Sequence, residues 1–130
     1  MKKIRYFLPA ILWTAVILVL CLMPSSDVPD TVLSRIPYFD KFVHCGIFAG
    51  FVFLWSLGLR RMGISHQIVY LARIILIAVL LGLAIEFLQK EMTSLHRDFD
   101  WWDWLADCIG AFLGAAIFRE IFPQKTEPAP

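Results

Sequence analysis

The chain has 130 residues, of which 59% are hydrophobic and only 18% are charged, and its formal net charge is +1. A soluble domain of this size cannot bury so much apolar surface, which favours lipid as the surrounding solvent. The composition argues against a disordered chain, and the near-neutral charge argues against a nucleic-acid-binding protein. One domain is expected at this length.

The predicted elements are four membrane-spanning helices. The first is residues 6–26, an uncharged run of 21 residues, which as a helix is long enough to cross a bilayer core. No small-residue cleavage site follows it, so we interpret it as a retained helix and not as a signal peptide. The later spans are predicted at 42–59, 68–88 and 102–122. They give an all-α domain over residues 1–122, and residues 123–130 form a polar cytoplasmic tail that we expect to be disordered.

The charges of the loops set the expected orientation. Eight of the twelve Lys and Arg residues fall on one side of the membrane, so the positive-inside rule places both termini in the cytoplasm. Nine of the eleven acidic residues fall on the outer side. Trp101, Trp102 and Trp104 lie at the expected outer interface, as in the aromatic belts of membrane proteins.

Small residues recur four apart in three of the spans. The pairs are Gly46 and Gly50, Ala78 and Gly82, and Gly110 and Gly114. Small side chains at this spacing let helix backbones approach closely in lipid. We expect at least two of the three pairs to lie in helix contacts.

Polar residues at helical spacing mark the outer ends of spans two, three and four. Each pair shares one helix face: Asp40 with His44, Glu86 with Gln89, and Asp103 with Asp107. Arg97 and Asp100 precede the fourth span, and Lys41 adjoins Asp40. Ionisable groups are costly against lipid, so these side chains are expected to face inward and to meet.

Two interpretations of these polar residues stay open. They form a ligand or catalytic site, or a structural network in which Glu86 and Asp103 tie the helices together through Arg97. In a site, Asp40 with His44 would transfer a proton and Arg97 would hold a phosphate. No metal is assigned, and a divalent cation held by carboxylates is the one cofactor alternative. The catalytic candidates are Asp40, His44, Glu86 and Asp103, and the ligand-binding candidates are these four with Gln89, Arg97, Asp100 and Asp107.

The order of these motifs resembles the VanZ-like family of small bacterial membrane proteins. The resemblance covers residues 24–114 and rests on Asp40-Lys41-x-x-His44, Glu86-x-x-Gln89, Arg97-x-x-Asp100-x-x-Asp103 and Ala106-Asp107-x-x-Gly110-Ala111-x-x-Gly114. The family usually has Asn at the position of Asp107, so a role that needs a neutral amide there does not carry over. The resemblance implies a bacterial cytoplasmic-membrane protein with a cell-envelope role and an outward-facing polar site, but it supplies no reaction. The family's namesake is linked to resistance against teicoplanin, a lipoglycopeptide.

The expected function is binding of an envelope lipid or lipid-linked cell-wall precursor by its polar head group. Binding would change access to that head group and could thereby affect lipoglycopeptide susceptibility. The alternatives are an outer-leaflet lipid-modifying hydrolase or transferase, and a structural or partner-binding membrane module. A proton-coupled multidrug transporter fits less well, because its carboxylate is expected near the bilayer midplane and Glu86 lies near the outer end. No nucleic-acid partner is expected, and the oligomeric state is left open.

Overall fold

The computed structural model describes residues 3–24, 36–64, 67–92 and 98–124. Within these ranges the chain forms a short 3₁₀ helix and four α-helices and no strand, which confirms the all-α fold class. The 3₁₀ helix is Ile4–Tyr6, and the α-helices are α1 (Leu8–Cys21), α2 (Phe39–Arg61), α3 (Gln67–Glu91) and α4 (Trp101–Ile121). The end of the predicted tail, residues 125–130, lies outside the described residues.

Helix α1 is shorter than the predicted span 6–26. Its first turn contains Pro9, a position where proline costs no hydrogen bond because the N–H has no partner inside the helix. The helix ends at Cys21, shortly before Pro24, because the residue that precedes a proline is disfavoured in the helical conformation. The sequence prediction therefore placed the boundaries of this span too far apart.

The other three helices cover the predicted spans closely. Helices α2 and α3 extend beyond their predicted spans at both ends, and α4 is displaced by one residue. The start of α4 is fixed by Asp100, whose Oδ1 accepts a hydrogen bond of 2.8 Å from the backbone N–H of Trp102. Such a cap satisfies one of the free N–H groups of the first helical turn.

Helix α2 packs against α1, α3 and α4, and its contact with α4 is the most extensive. Gly110 and Gly114 lie directly on the backbone of α2: a Cβ at either position would stand 2.2 Å from the carbonyl oxygen of Cys45 or Ala49. Glycine is therefore required for this close approach of the two helices. The prediction that Gly110 and Gly114 lie in a helix contact is confirmed.

The other two small-residue pairs differ. Ala78 is fully buried and Gly82 lies against the side chain of Asp107, so this pair is also in a helix contact. Gly50 lies against the indole of Trp13 on α1, but nothing stands within 4 Å of a Cβ at Gly46. Two of the three pairs thus lie in helix contacts, as predicted, and the pair that begins with Gly46 does so at only one residue.

Apolar side chains occupy both the interior and much of the surface. The largest fully buried ones are Phe48, Phe118, Ile17 and Ile85. Large apolar side chains are also exposed on all four helices, including Leu12, Val19, Phe42, Leu76, Ile77, Leu80, Ile109 and Phe112. By length and composition α2 and α3 are each able to cross a membrane, whereas α1 is apolar but has 14 residues. An apolar surface of this extent suits lipid better than water.

Candidate functional site

One end of the helix bundle carries a cluster of polar side chains, where α2 and α4 begin and α3 ends. We call it the polar cluster; it consists of Asp40, Lys41, His44, Glu86, Gln89, Asp100, Asp103 and Asp107. The structure places seven of the eight predicted ligand-binding residues here. The eighth, Arg97, lies outside the described residues.

Lys41 is the centre of the more exposed half of the polar cluster. Its Nζ donates to Asp40 Oδ2 at 2.8 Å, to Asp100 Oδ2 at 2.5 Å and to Asp103 Oδ1 at 2.6 Å. These bonds tie the first turn of α2 to the first turn of α4. In the sequence, Lys41 stands out only as the neighbour of Asp40. Its central place follows from the packing of α2 against α4, which brings distant acids to it.

The three acids around Lys41 also form the one geometric candidate for a cation within the described ranges. One oxygen atom from each of Asp40, Asp100 and Asp103 lies within 4.8 Å of the others. Three carboxylates so close together suit a hard cation such as Ca²⁺. The Lys41 ammonium already donates to all three, however, and supplies the positive charge that a metal ion would otherwise bring.

The pKa of Asp100 reflects the same contacts. Partial burial acts to raise the pKa of this carboxyl group, but the hydrogen bond from Lys41 and the one from the Trp102 N–H outweigh that effect. The pKa is therefore held below its ordinary value. The ionised form of Asp100 is the form that the folded protein stabilises.

His44 binds Asp107 in the buried half of the polar cluster. The distance from His44 Nδ1 to Asp107 Oδ1 is 2.9 Å, and the two residues are 7% and 0% exposed. The predicted pairing of Asp40 with His44 is wrong, because Asp40 lies at the exposed first turn of α2 and binds Lys41. His44 lies one turn deeper, where α4 approaches α2 most closely, and so its partner comes from α4.

The second ring nitrogen of His44 faces a different acid. Its Nε2 lies 3.9 Å from Asp103 Oδ2, which is too far for a hydrogen bond. A neutral His44 that donates from Nδ1 to Asp107 carries a lone pair on Nε2. A histidine oriented by a carboxylate in this way is able to act as a general base.

Glu86 is fully buried and only half satisfied. Its Oε2 accepts a hydrogen bond of 2.8 Å from the backbone N–H of Asp100. Its Oε1 has no hydrogen-bond partner among the described residues, and the same holds for Asp107 Oδ2. Buried acceptors without a partner lower the stability of a fold. The buried half of the polar cluster thus holds more acceptor atoms than the described donors satisfy.

Gln89 has a structural contact. Its Nε2 donates to the backbone carbonyl of Cys21 at 2.7 Å, which ties the end of α3 to the end of α1. The alternative network, with Glu86 and Asp103 linked through Arg97, stays a prediction, because Arg97 lies outside the described residues. In the described part of the chain, Glu86 accepts from the backbone N–H of Asp100, and Asp103 accepts from Lys41. Lys41 links α2 to α4, whereas the predicted network through Arg97 links α3 to α4.

Aromatic rings border the polar cluster. The Phe99 ring packs edge-on against Phe87 and at a tilt against Trp101. Trp101 packs edge-on against Trp104 at 5.8 Å between ring centroids. Trp101 and Trp102 are 64% and 69% exposed, whereas Trp104 donates its indole N–H to the Val79 carbonyl. Amphipathic rings in such positions are typical of a membrane–water interface.

Comparison of the chain with protein-family models, with curated proteins and with solved structures found no match. The resemblance to the VanZ-like family therefore depends on the order of the motifs alone. Any assignment of function depends on those motifs and on the geometry of the polar cluster.

Proposed function

We propose that this chain is a multi-pass protein of the bacterial cytoplasmic membrane, similar to the VanZ-like family, with four membrane-spanning helices. The apolar lengths of α2 and α3 support this, as do the exposed apolar side chains of α1 and α4. Both termini lie in the cytoplasm, on the side where most Lys and Arg residues fall. The polar cluster then lies near the outer surface.

The polar cluster binds the head group of an envelope lipid or of a lipid-linked cell-wall precursor. The observation that carries this proposal is Glu86, which is fully buried and keeps Oε1 without a partner among the described residues. A buried acceptor without a partner lowers the stability of the fold. Such a group is expected in a binding site, because the requirements of function and of stability commonly conflict there. Binding changes access to the head group, and we expect it to alter susceptibility to lipoglycopeptides.

A purely structural polar cluster accounts for only part of the geometry. The bonds of Lys41 with Asp100 and Asp103, and the bond of Gln89 with Cys21, hold helices together. Among the described residues they leave Glu86 Oε1 without a partner, whereas a structural network gains stability by satisfying its members. A ligand that donates to that oxygen explains why the buried acid is kept.

Lipid binding by matched variants tests the proposal. The full chain is purified in detergent, exchanged into envelope lipids, and analysed for retained lipids by mass spectrometry. Glu86→Gln removes the charge of the buried acid, and Glu91→Gln makes the same change at an exposed position of the same helix. We expect wild type and Glu91→Gln to retain the same lipid and Glu86→Gln to bind it at least about tenfold more weakly.

The melting temperatures of the same variants separate a site from a structural network. A binding site predicts that Glu86→Gln melts at the same temperature as wild type or higher, because an unpaired buried charge is removed. A structural network predicts a clear drop. Equal lipid retention by all three proteins, together with such a drop, would contradict the proposal.

The pair of His44 and Asp107 favours a second candidate, an outer-leaflet hydrolase or transferase that acts on a lipid. Asp107 would orient the imidazole, and His44 Nε2 would accept a proton from the attacking nucleophile. Turnover of envelope lipids by the purified protein, lost in His44→Gln and retained in Glu91→Gln, would support this candidate. Binding without turnover would leave the first proposal standing alone.

A further inference from the structure

The balance of charge in the polar cluster indicates which ligands it accepts. Its described members include five carboxylic acids but only one lysine and one histidine. Lys41 binds three of the acids, and His44 binds a fourth, Asp107. Glu86 is the remaining acid, and the one described donor to it is a backbone N–H. These described members together repel a further anion and attract a positively charged donor.

The acceptor atoms around Glu86 suit a donor with several N–H groups. Glu86 lies one helical turn after Gly82, which faces Asp107, the partner of His44. Its Oε2 accepts from the Asp100 N–H, and its Oε1 has no partner in the described part of the chain. His44 Nε2 and Asp103 Oδ2 are 3.9 Å apart and do not bond to each other. A nitrogen atom placed about 2.8 Å from both atoms would form its two hydrogen bonds at an angle of about 90° to each other. An ammonium group accommodates this angle with bent hydrogen bonds.

A metal ion fits this group of atoms less well. Mg²⁺ and Ca²⁺ prefer oxygen ligands, and imidazole is not a preferred ligand for either ion. The neighbouring Lys41 also demonstrates that carboxylates at this end of the bundle bind a primary ammonium, at 2.5–2.8 Å.

We infer that the ligand presents a primary ammonium group, which binds between Glu86, His44 and Asp103. The inference rests on the proposed function and names the chemistry of the head group. Two sources carry this group: the head of an aminophospholipid, and the free amine of a peptide linked to a lipid. A quaternary ammonium has the same charge but no N–H, so it cannot replace the primary ammonium.

The test compares two lipids on the unmodified protein. The full chain is placed in phosphatidylglycerol nanodiscs that contain a graded fraction of phosphatidylethanolamine or, in parallel, of phosphatidylcholine. The tryptophans beside the polar cluster report binding by fluorescence. We expect phosphatidylethanolamine to bind at least about tenfold more tightly, because charge-assisted hydrogen bonds are lost with phosphatidylcholine. Glu86→Gln abolishes this preference, and the exposed control Glu91→Gln keeps it.

A titration with soluble amines distinguishes the two sources of the amine. Alanine amide and its N-trimethylated form are titrated onto the protein in phosphatidylglycerol alone. Saturable binding of alanine amide, without a preference between the two lipids, assigns the amine to a peptide. A preference for phosphatidylethanolamine, without saturable binding of alanine amide, assigns the amine to the phospholipid.

Three further outcomes overturn the inference. Equal binding of both lipids, with no binding of alanine amide, overturns the inference of an ammonium ligand. The proposal that the protein binds lipid is not affected by this result. Displacement of the amines by micromolar Mg²⁺ or Ca²⁺ at unchanged ionic strength assigns the atoms to a metal ion. Absence of any saturable ligand overturns both the inference and the proposed function. The comparison of lipids uses wild-type protein, so it holds even if Glu86→Gln fails to fold.

Discussion

Gly82 on α3 lies directly against the Asp107 carboxylate on α4. A Cβ at Gly82 would stand 2.6 Å from Asp107 Oδ2 and 3.1 Å from Asp107 Cβ. The other oxygen of Asp107 binds His44 of α2. Three helices therefore meet at one fully buried acid, and the absence of a side chain at residue 82 is what lets α3 approach it.

The first prediction is that Gly82→Ala destabilises the protein. The added methyl group displaces Asp107 and weakens its bond with His44, so we expect the free energy of unfolding to fall by about 1–3 kcal/mol. Thermal unfolding in detergent measures the change. In a background of Asp107→Ala the added methyl group meets no carboxylate, and the cost should largely disappear. Equal costs in both backgrounds would show that Gly82 and Asp107 are not coupled.

The second prediction contrasts two glycines that the sequence pattern does not distinguish. Gly110→Ala places a Cβ 2.2 Å from the Cys45 carbonyl oxygen, so the backbones of α2 and α4 must separate. We expect a loss of about 3 kcal/mol or more, or failure to fold. Gly46→Ala, with open space around it, should be neutral or stabilising by up to about 1 kcal/mol, because alanine favours the helix. Similar melting temperatures for the two variants would contradict the packing of α2 on α4.

The third prediction concerns the charge at the centre of three acids. Lys41→Gln leaves Asp40, Asp100 and Asp103 to repel one another, and we expect a loss of about 1–2 kcal/mol. Because their oxygens lie within 4.8 Å of one another, Ca²⁺ should bind in place of the ammonium and restore the melting temperature.

The controls for this prediction are the wild-type protein and Lys90→Gln, a change at an exposed lysine of α3. We expect millimolar Ca²⁺ to leave both melting temperatures unchanged. A rise of equal size in all three proteins would mean that the ion acts elsewhere, and no rise in Lys41→Gln would mean that the three acids separate when Lys41 is removed.

The fourth prediction concerns acid stability. The pKa of Asp100 is lower in the folded protein than in the unfolded chain, where it is about 3.9. The folded state therefore gains stability from this group above the unfolded pKa and loses it as the pH falls through the folded pKa. We expect the melting temperature of wild type to fall below about pH 4.

Asp100→Asn isolates this contribution. Asparagine keeps a side-chain oxygen to cap α4 but does not titrate, so the melting temperature of the variant should fall less on acidification. Asp98→Asn, a change at an exposed neighbour, should follow the wild-type curve. An identical pH dependence in Asp100→Asn and wild type would contradict the contribution of Asp100 to acid stability.

Local patterns predicted much of the fold. The apolar runs predicted four helices, and the helix ends lie within a few residues of the predicted ones except in α1. The polar pairs at helix ends predicted that acids from three helices would meet at one end of the bundle. These features follow from the sequence because apolar length and helical spacing are properties of each segment by itself.

The partners within the polar cluster were decided by tertiary structure alone. Spacing within α2 favoured Asp40 as the partner of His44, but the partner is Asp107 of α4, 63 positions away in the sequence. Lys41 became central because α4 begins beside it, which no pattern in α2 indicates. Helical spacing determines which residues share a face of one helix. Which face of a second helix lies opposite depends on close packing, here on the two glycines of α4 that rest on the backbone of α2.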